Sequence, residues 1–219
     1  MVRDGFFYAL GLGAVAVVLY MVTHSHVLMA VPLLLAAFFL WFFRDPPRKI
    51  PAGPGKIVSP ADGMVTEAEW IETTTGSRLR LSIFLSVFDV HVNRSPVSGT
   101  VRKVEFREGK FMNAINPESV LNNEQTLIVI DGGGYDVSLK QIAGLLARRI
   151  VCNLKPGQHV ERGQRIGLIK FGSRVDVLLP AEAHLKVRTG SRVRGGATVL
   201  AELPESMAKE ELTATAVVA

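Results

Sequence analysis

The chain has 219 residues, a formal net charge of +5 at pH 7 and 48% hydrophobic residues. Its length allows one ordinary domain with an appendage, and its apolar content excludes a disordered chain. A single cysteine excludes a disulfide framework and a CxxC zinc site, so we expect no metal centre and no need for an oxidising compartment.

Two apolar runs open the chain. Residues 5–22 and 27–43 contain no charged side chain, and a short polar turn, Thr23–His26, separates them. Each run has about the length that a helix needs to cross a bilayer, roughly 17–25 residues. Within hydrocarbon, only a helix satisfies its own backbone groups. We therefore expect residues 1–43 to form a transmembrane helical hairpin, rather than a cleavable signal peptide or a buried core hairpin.

Basic side chains flank the hairpin on both sides. Arg3 precedes the first run, and Arg44, Arg48 and Lys49 follow the second. By the positive-inside rule, both ends of the hairpin face the cytoplasm. We therefore expect a protein of the cell (inner) membrane whose remaining domain lies on the cytoplasmic side.

The composition changes after Phe43. Residues 44–55 are rich in Pro and Gly and predict a stiff linker, which leaves residues 56–219 as the second domain. Four short runs have the alternation or the β-branched content of strands: 79–85, 126–131, 135–141 and 149–154. Residues 109–125 lack this character and predict a loop with at most one helical turn. The second domain is therefore predicted to be mainly β, α+β overall with the hairpin.

Two sequence patterns occur twice each. Ser59–Val65 and Ser95–Val101 share S-P-x-x-G-x-V at an offset of 36 residues. Gly157–Ile166 and Gly190–Val199 share G-x-x-V-x-x-G-x-x-[IV] at an offset of 33 residues. The glycines recur where a strand must turn sharply. Such half-repeats resemble the barrel-sandwich architecture of lipoyl and biotinyl domains, which predicts a fold and no particular activity.

Positive charge is concentrated in one part of the chain. Residues 144–200 hold eleven Lys and Arg against three acidic residues, a net of +8. This block has no interleaved aromatic residues and no recognition motif, so we expect no nucleic-acid partner. Beside a membrane anchor it would face anionic headgroups, and a solvated face of mixed charge is the alternative.

Three short segments contain residue types that could carry chemistry. They are Pro60–Gly63 with Asp62, Phe88–Pro96 with His91, and Lys170–Arg174 with the pair Gly172-Ser173. Singly, each is commonly structural, since Asp-Gly and Gly-Ser form turns and an isolated histidine is usually packed. In this order behind an apolar hairpin, they resemble the short prokaryotic branch of the phosphatidylserine decarboxylase family, from Arg44 to about Leu203.

The resemblance implies a proenzyme that cuts itself between Gly172 and Ser173. The products would be a large chain of residues 1–172 and an associated small chain of residues 173–219. Ser173 would become a covalent pyruvoyl group, the expected cofactor. That group would capture the amine of phosphatidylserine as a Schiff base, release carbon dioxide and leave phosphatidylethanolamine. The implied partners are the phospholipid substrate and the membrane.

The residue types support this chemistry by themselves. Ser173 Oγ can attack the Gly172 carbonyl if a base accepts its proton. Gly172 lacks a Cβ and so tolerates the strained backbone of an acyl shift. We expect His91 to be the base and Asp62 the carboxylate that orients it, because a Ser-His-Asp arrangement is recognised by role rather than by chain order.

The chain departs from the long branch of the family at two positions. Arg94 stands where that branch has a second histidine, so either His91 performs both proton transfers or His159 or His184 assists. Gln125 replaces an arginine in the segment Asn-Glu-Arg, which weakens any substrate role there.

Arginines are the expected ligands of the substrate phosphate. Arg94, Arg174 or another member of the basic block would hold it, since a guanidinium suits a phosphate oxyanion. A carrier domain or an efflux-type membrane adaptor without catalysis is the alternative function. The chain lacks the Met-Lys or Asp-Lys pair expected of a carrier and the long heptad helices expected of an adaptor.

Overall fold

The computed structural model describes residues 3–73, 76–112, 122–144, 149–170 and 172–208. They divide into two compact units, residues 1–47 and residues 48–219. Residues 44–55 contain neither helix nor strand, and those from Arg48 onward belong to the second unit.

The first unit is a pair of apolar helices. Helix α1 (Arg3–Thr23) and helix α2 (His26–Phe42) pack against each other, and Tyr8 stacks on Phe39 with ring centroids 5.0 Å apart. Ser25 begins α2 by accepting the amide of Leu28, the usual work of an N-cap serine. The predicted helical hairpin is confirmed. Helix α1 has the length and composition of a membrane-crossing helix, and α2 is a shorter apolar helix of 17 residues.

The second unit is built from strands, which confirms the predicted β domain. Its described residues form β1 (Lys56–Val58), β2 (Gly63–Thr73), β3 (Gly76–Leu85), β4 (Val92–Arg94), β5 (Gly99–Arg107), β6 (Gln125–Asp131), β7 (Asp136–Ala143), β8 (Ile150–Cys152), β9 (His159–Val160), β10 (Arg165–Ile169), β11 (Ser173–Leu179), β12 (His184–Leu185), β13 (Arg192–Val193) and β14 (Val199–Glu202). Most of the segment predicted as a loop, residues 113–121, lies outside the described residues.

The strands form one large sheet and two small ones. The large sheet has eight antiparallel strands in the order β13-β2-β3-β11-β7-β6-β5-β9, and the small sheets have the orders β1-β14-β12 and β4-β10-β8. The alternation predicted in β3 is real, since Leu79, Leu81, Ile83 and Leu85 all enter the core. Strand β11 lies between β3 and β7, near the middle of the large sheet.

The two sequence repeats bind each other in matching pairs. The Ser59 carbonyl accepts the Gly196 amide at 2.7 Å, and 36 residues later the Ser95 carbonyl accepts the Gly163 amide at 2.8 Å. Each S-P-x-x-G-x-V copy is therefore held by one G-x-x-V copy. Both Gly196 and Gly163 have left-handed backbone, φ +75° and +80°, which favours glycine there.

The two S-P-x-x-G-x-V copies also hydrogen-bond to each other. The Val58 amide donates to the Pro96 carbonyl at 2.9 Å, and the Arg94 amide donates to the Pro60 carbonyl at 2.8 Å. Residues 58 and 94, like residues 60 and 96, occupy equivalent places in the two copies. The hydrogen bonds are therefore those of a pseudo-twofold arrangement, and the half-repeats produce the curled, barrel-like β fold that they predict.

Candidate active site

Ser173 begins the central strand β11 and is fully buried. Its Cα partners are Leu85 on β3 and Ala143 on β7. Ser173 Oγ has no hydrogen-bond partner among the described residues. A buried hydroxyl without a partner costs about 1–3 kcal/mol, so such a group in a native protein calls for a functional explanation.

Gly172 precedes it in the left-handed region, with φ +62°. A Cβ built on Gly172 would meet no atom within 4 Å, so glycine is favoured here by backbone conformation and not by crowding. The Gly172 amide donates to Nε2 of His91 at 3.1 Å. The scissile pair predicted from the sequence therefore lies directly beside the predicted base.

His91 is fully buried, and both of its ring nitrogens have partners. Nε2 accepts the Gly172 amide, and Nδ1 lies 2.9 Å from the Asp89 carbonyl oxygen. Because an amide only donates and a carbonyl only accepts, these two contacts correspond to the tautomer with its proton on Nδ1. The basic lone pair on Nε2 thus faces the residue whose peptide bond would be cut.

Asp62 has a different set of partners. Its carboxylate accepts two hydrogen bonds from Arg48, at 3.0 and 2.9 Å, and one from the Gly195 amide at 2.8 Å. The equivalent residue of the second repeat is Ser98, whose Oγ accepts the Arg162 amide at 3.0 Å. Asp62 and Ser98 therefore cap a backbone amide at the same place in the two repeats. Asp62 alone of the two adds a negative charge, and this charge is paired with Arg48.

The sequence analysis expected Asp62 to orient His91, and this contact is corrected by the structure. The main-chain carbonyl of Asp89 fills that place. The turn around it is tightly held, because Asp89 Oδ2 accepts the Ser86 amide and hydroxyl at 2.9 and 2.7 Å. Asp89 Oδ1 accepts Arg192 at 3.0 Å. The sequence contains no signal for the contact between His91 and the Asp89 carbonyl, because every residue has a main-chain carbonyl.

His159 and His184 are the other proton-transfer candidates, and Arg94 occupies the position of the long branch's second histidine. Arg94 is buried, and one of its hydrogen bonds goes to the Gly163 carbonyl at 3.0 Å. His159 lies 3.4 Å from the Glu161 carboxylate on β9, and His184 is exposed on β12. Among the histidines that the structure describes, His91 alone contacts the scissile pair.

Arg174 follows the scissile pair and is 2% exposed. Its guanidinium donates to Asp176 at 2.6 Å, to both carboxylate oxygens of Glu67 at 3.1 and 2.6 Å, and to Ser82 Oγ at 2.6 Å. These contacts occupy four of the five donors of an arginine. Arg174, one of the residues considered for the substrate phosphate, therefore ties the start of β11 to β2 and β3.

This network is charged at neutral pH. Burial would raise the pKa of Glu67, but the hydrogen bond and charge of Arg174, together with Arg80 and Ser82, lower it below its ordinary value. Burial would lower the pKa of Arg174, but Asp176 and Glu67 raise it. Both members of the pair are therefore held in the ionised form.

A buried pair of side-chain amides lies near the site, and the sequence analysis did not identify it. Gln141 Nε2 donates to Asn93 Oδ1 at 2.7 Å, and both side chains are fully buried. Asn93 lies two residues after His91, and Gln141 lies two residues before Ala143, the partner of Ser173. The pair thus joins β4, which follows His91, to β7, which lies beside Ser173. Nothing in the sequence links these two positions.

A groove of about 380 Å³ lies on the opposite face of the large sheet. Asp176 and Leu178 of β11 line it, and they alternate with the core residues Val175 and Val177. Neither Ser173 nor His91 lines this groove, so it is separate from the candidate active site.

Comparison with known proteins gives one consistent family. The family model for phosphatidylserine decarboxylase matches residues 35–201. A protein of Solibacter usitatus named phosphatidylserine decarboxylase proenzyme is 50% identical over 202 residues, covering 92% of this chain and 96% of its own. Proteins with the same name are 46% identical in Nitrosomonas europaea, over 87% of this chain and 90% of theirs, and in Burkholderia pseudomallei, over 78% and 81%. The chain therefore belongs to the phosphatidylserine decarboxylase family.

Proposed function

We propose that the chain is a membrane-attached proenzyme that cuts itself between Gly172 and Ser173 and then converts phosphatidylserine to phosphatidylethanolamine. One observation carries the proposal: a buried hydroxyl without a partner, on Ser173, beside a left-handed Gly172 whose amide is bonded to Nε2 of His91. Membership of the family supports the lipid substrate, and the relatives' names support a precursor form.

Self-cleavage uses only residues of this chain. Ser173 Oγ attacks the Gly172 carbonyl carbon, the C–N bond breaks, and an ester to Oγ forms while the Ser173 amine is released. His91 accepts the hydroxyl proton on Nε2 after this nitrogen exchanges the Gly172 amide for Ser173 Oγ, and its contact with Gly172 supports this role. Loss of the Ser173 Cα proton then expels the Gly172 carboxylate and leaves dehydroalanine. Water hydrolyses this residue, ammonia departs, and a ketone remains.

The position of Ser173 fits the resulting pyruvoyl group. The hydroxyl that the cleavage consumes has no hydrogen bond to lose among the described residues, and its side chain is buried. When formed, the group supplies an electrophilic ketone for the substrate amine and an acceptor for the electrons that remain after carbon dioxide leaves. His91 holds a proton beside this position and returns it at the substrate carbon, so a single histidine serves both stages.

The sheet keeps the two cleaved chains together. Strands β11 to β14 belong to the small chain, and their partners belong to the large chain: β11 pairs with β3 and β7, β13 with β2, and β14 with β1. The Arg174 contacts to Glu67 and Ser82 also cross between the chains. Cutting one peptide bond at the edge of β11 leaves all of these bonds in place.

The membrane location follows from the first unit. Helix α1 is apolar and long enough to cross a bilayer. Arg44 stacks on Trp41 with its guanidinium carbon 4.1 Å from the ring centroid, a pairing suited to the headgroup region. Arg3 and Arg44 place basic charge at both ends of the hairpin, so we assign both ends, and the catalytic unit, to the cytoplasmic side of the cell membrane.

The test is the intact mass of the purified protein. We expect two chains, 1–172 and 173–219, with the small chain blocked at its N-terminus and reactive toward a carbonyl reagent. Ser173→Ala should stay uncut. Ser191→Ala is a matched control, because Ser191 also follows a left-handed glycine, Gly190 with φ +87°, and should be cut normally. A single unmodified chain in the parent protein, or normal cleavage of Ser173→Ala, would overturn the proposal.

A further inference from the structure

The turn that precedes His91 presents an aromatic side chain to solvent. Phe88 is 73% exposed, more than any other large hydrophobic residue that the structure describes in the second unit. Its turn is rigid, since the Asp89 amide donates to the Ser86 carbonyl at 3.0 Å and the Asp89 carboxylate accepts both polar groups of Ser86. Phe88 keeps a large apolar surface in contact with water on this rigid turn, and a lipid surface would remove it from water.

The surroundings of Phe88 are apolar and basic. Arg192 bonds to Asp89 and is 71% exposed at its side chain, and its Cα partner Met64 is also exposed. Val193 is buried, so the alternation of β13 places Arg192 and Arg194 on the same side. An apolar tip with arginines beside it has the composition of elements that lie in the headgroup region of a membrane.

From this arrangement we infer that the Ser86–Asp89 turn is a lipid-contacting element of the catalytic unit. Phe88 inserts at the boundary of the headgroups, and Arg192 and Arg194 bind anionic phospholipid around it. The Asp89 carbonyl bonds to His91, so this contact fixes the catalytic histidine at the depth of the lipid headgroups. The inference rests on the proposed membrane location of the chain and is independent of the chemistry at Ser173.

The experiment uses single-tryptophan forms of the full chain in proteoliposomes. The chain has two tryptophans, Trp41 and Trp70. Phe88→Trp combined with Trp41→Phe and Trp70→Phe reports on the turn. Trp41 alone reports on the hairpin, and Trp70 alone is a matched control, because it is 58% exposed on β2 at a distance along the strand from Met64. Phospholipids brominated along the acyl chain quench only tryptophans that reach the bilayer.

We expect brominated lipid to reduce the emission of the Phe88→Trp form several-fold and to leave the Trp70 form unchanged. Quenching of the Trp41 form together with no quenching at position 88 would overturn this inference alone. No quenching of the Trp41 form would overturn the membrane location as well. Quenching of all three forms alike would show unspecific adsorption and would also overturn it.

Two further outcomes separate lipid from protein as the covering surface. Phosphatidylglycerol in phosphatidylcholine vesicles should increase quenching at position 88, and Arg194→Gln should remove most of that increase. A blue-shifted but unquenched position 88, at protein concentrations where the chain self-associates, would show that a second copy covers Phe88 and would refute a lipid contact.

Discussion

Loss of Arg174 should destabilise the fold more than any surface change, because two of its partners, Asp176 and Ser82, are buried with it. Asp176 is fully buried, and its Oδ2 already has no partner among the described residues. Arg174→Met would remove the hydrogen-bonded guanidinium from this carboxylate and leave it facing Lys140, its cross-strand neighbour on β7. Breaking a buried ion pair from one side costs about 3–5 kcal/mol, and we expect a loss of unfolding free energy in that range.

A second substitution should recover part of the loss. In Arg174→Met with Asp176→Leu, the buried carboxylate of β11 is removed as well; Glu67 keeps Arg80, and Ser82 keeps its hydrogen bond to Glu67. Apolar replacement of a whole buried pair is often neutral. We expect the double variant to be more stable than Arg174→Met by about 2 kcal/mol, the size of coupling that neighbouring residues show.

The assay is urea unfolding followed by circular dichroism in detergent micelles. Both variants are made in Ser173→Ala, so that the chain stays in one piece and unfolding does not separate two chains. A cost below about 1 kcal/mol for Arg174→Met, the level of a surface ion pair, would refute the buried network. A double variant no more stable than the single one would refute the role of the Asp176 carboxylate.

His91→Ala should abolish decarboxylation and impair self-cleavage, as measured by product formation and by mass; full activity would exclude it from both stages. Asp62→Ser keeps the amide cap seen at Ser98 and removes only the charge that pairs with Arg48, so we expect a normal fold and cleavage at the parent rate, because Asp89 and not Asp62 contacts His91; slower cleavage would show that the charge acts on the site. Because the pKa of Glu67 is lowered in the folded state, its stabilisation is full above its ordinary pKa of 4.5 and is lost as pH falls through the lower folded value, so Glu67→Gln should flatten the acid limb of the stability profile. Burial raises the pKa of the Cys152 thiol, so alkylation at neutral pH should be slow in the folded protein and fast in urea; equal rates would refute the packing of this side chain.

Local sequence patterns predicted the parts of the fold that depend on neighbouring residues. The apolar runs predicted both helices, and the alternation of Leu79 to Leu85 predicted β3. The scissile pair and His91 were found because the sequence resembled a family, while each motif alone was ordinary. These features are visible without knowledge of which strands lie side by side.

The remaining site depends on strand order, which local patterns do not contain. Arg174 meets Glu67 only because β11 lies beside β3 and β3 lies beside β2. The link between Asn93 and Gln141 likewise depends on two different sheets meeting. For Asp62 a signal was present: the repeat aligns it with Ser98, and both residue types cap backbone amides, so the comparison of the two copies predicts the contact with Gly195.

The interior place of β11 sets the order of events in the life of this protein. A strand with neighbours on both sides must form while the polypeptide is continuous. A separate fragment would have to insert between two strands that otherwise pair with each other. If the chain is cut as proposed, maturation therefore follows folding. The fragments 1–172 and 173–219, once separated by denaturant, should then regain little activity on mixing.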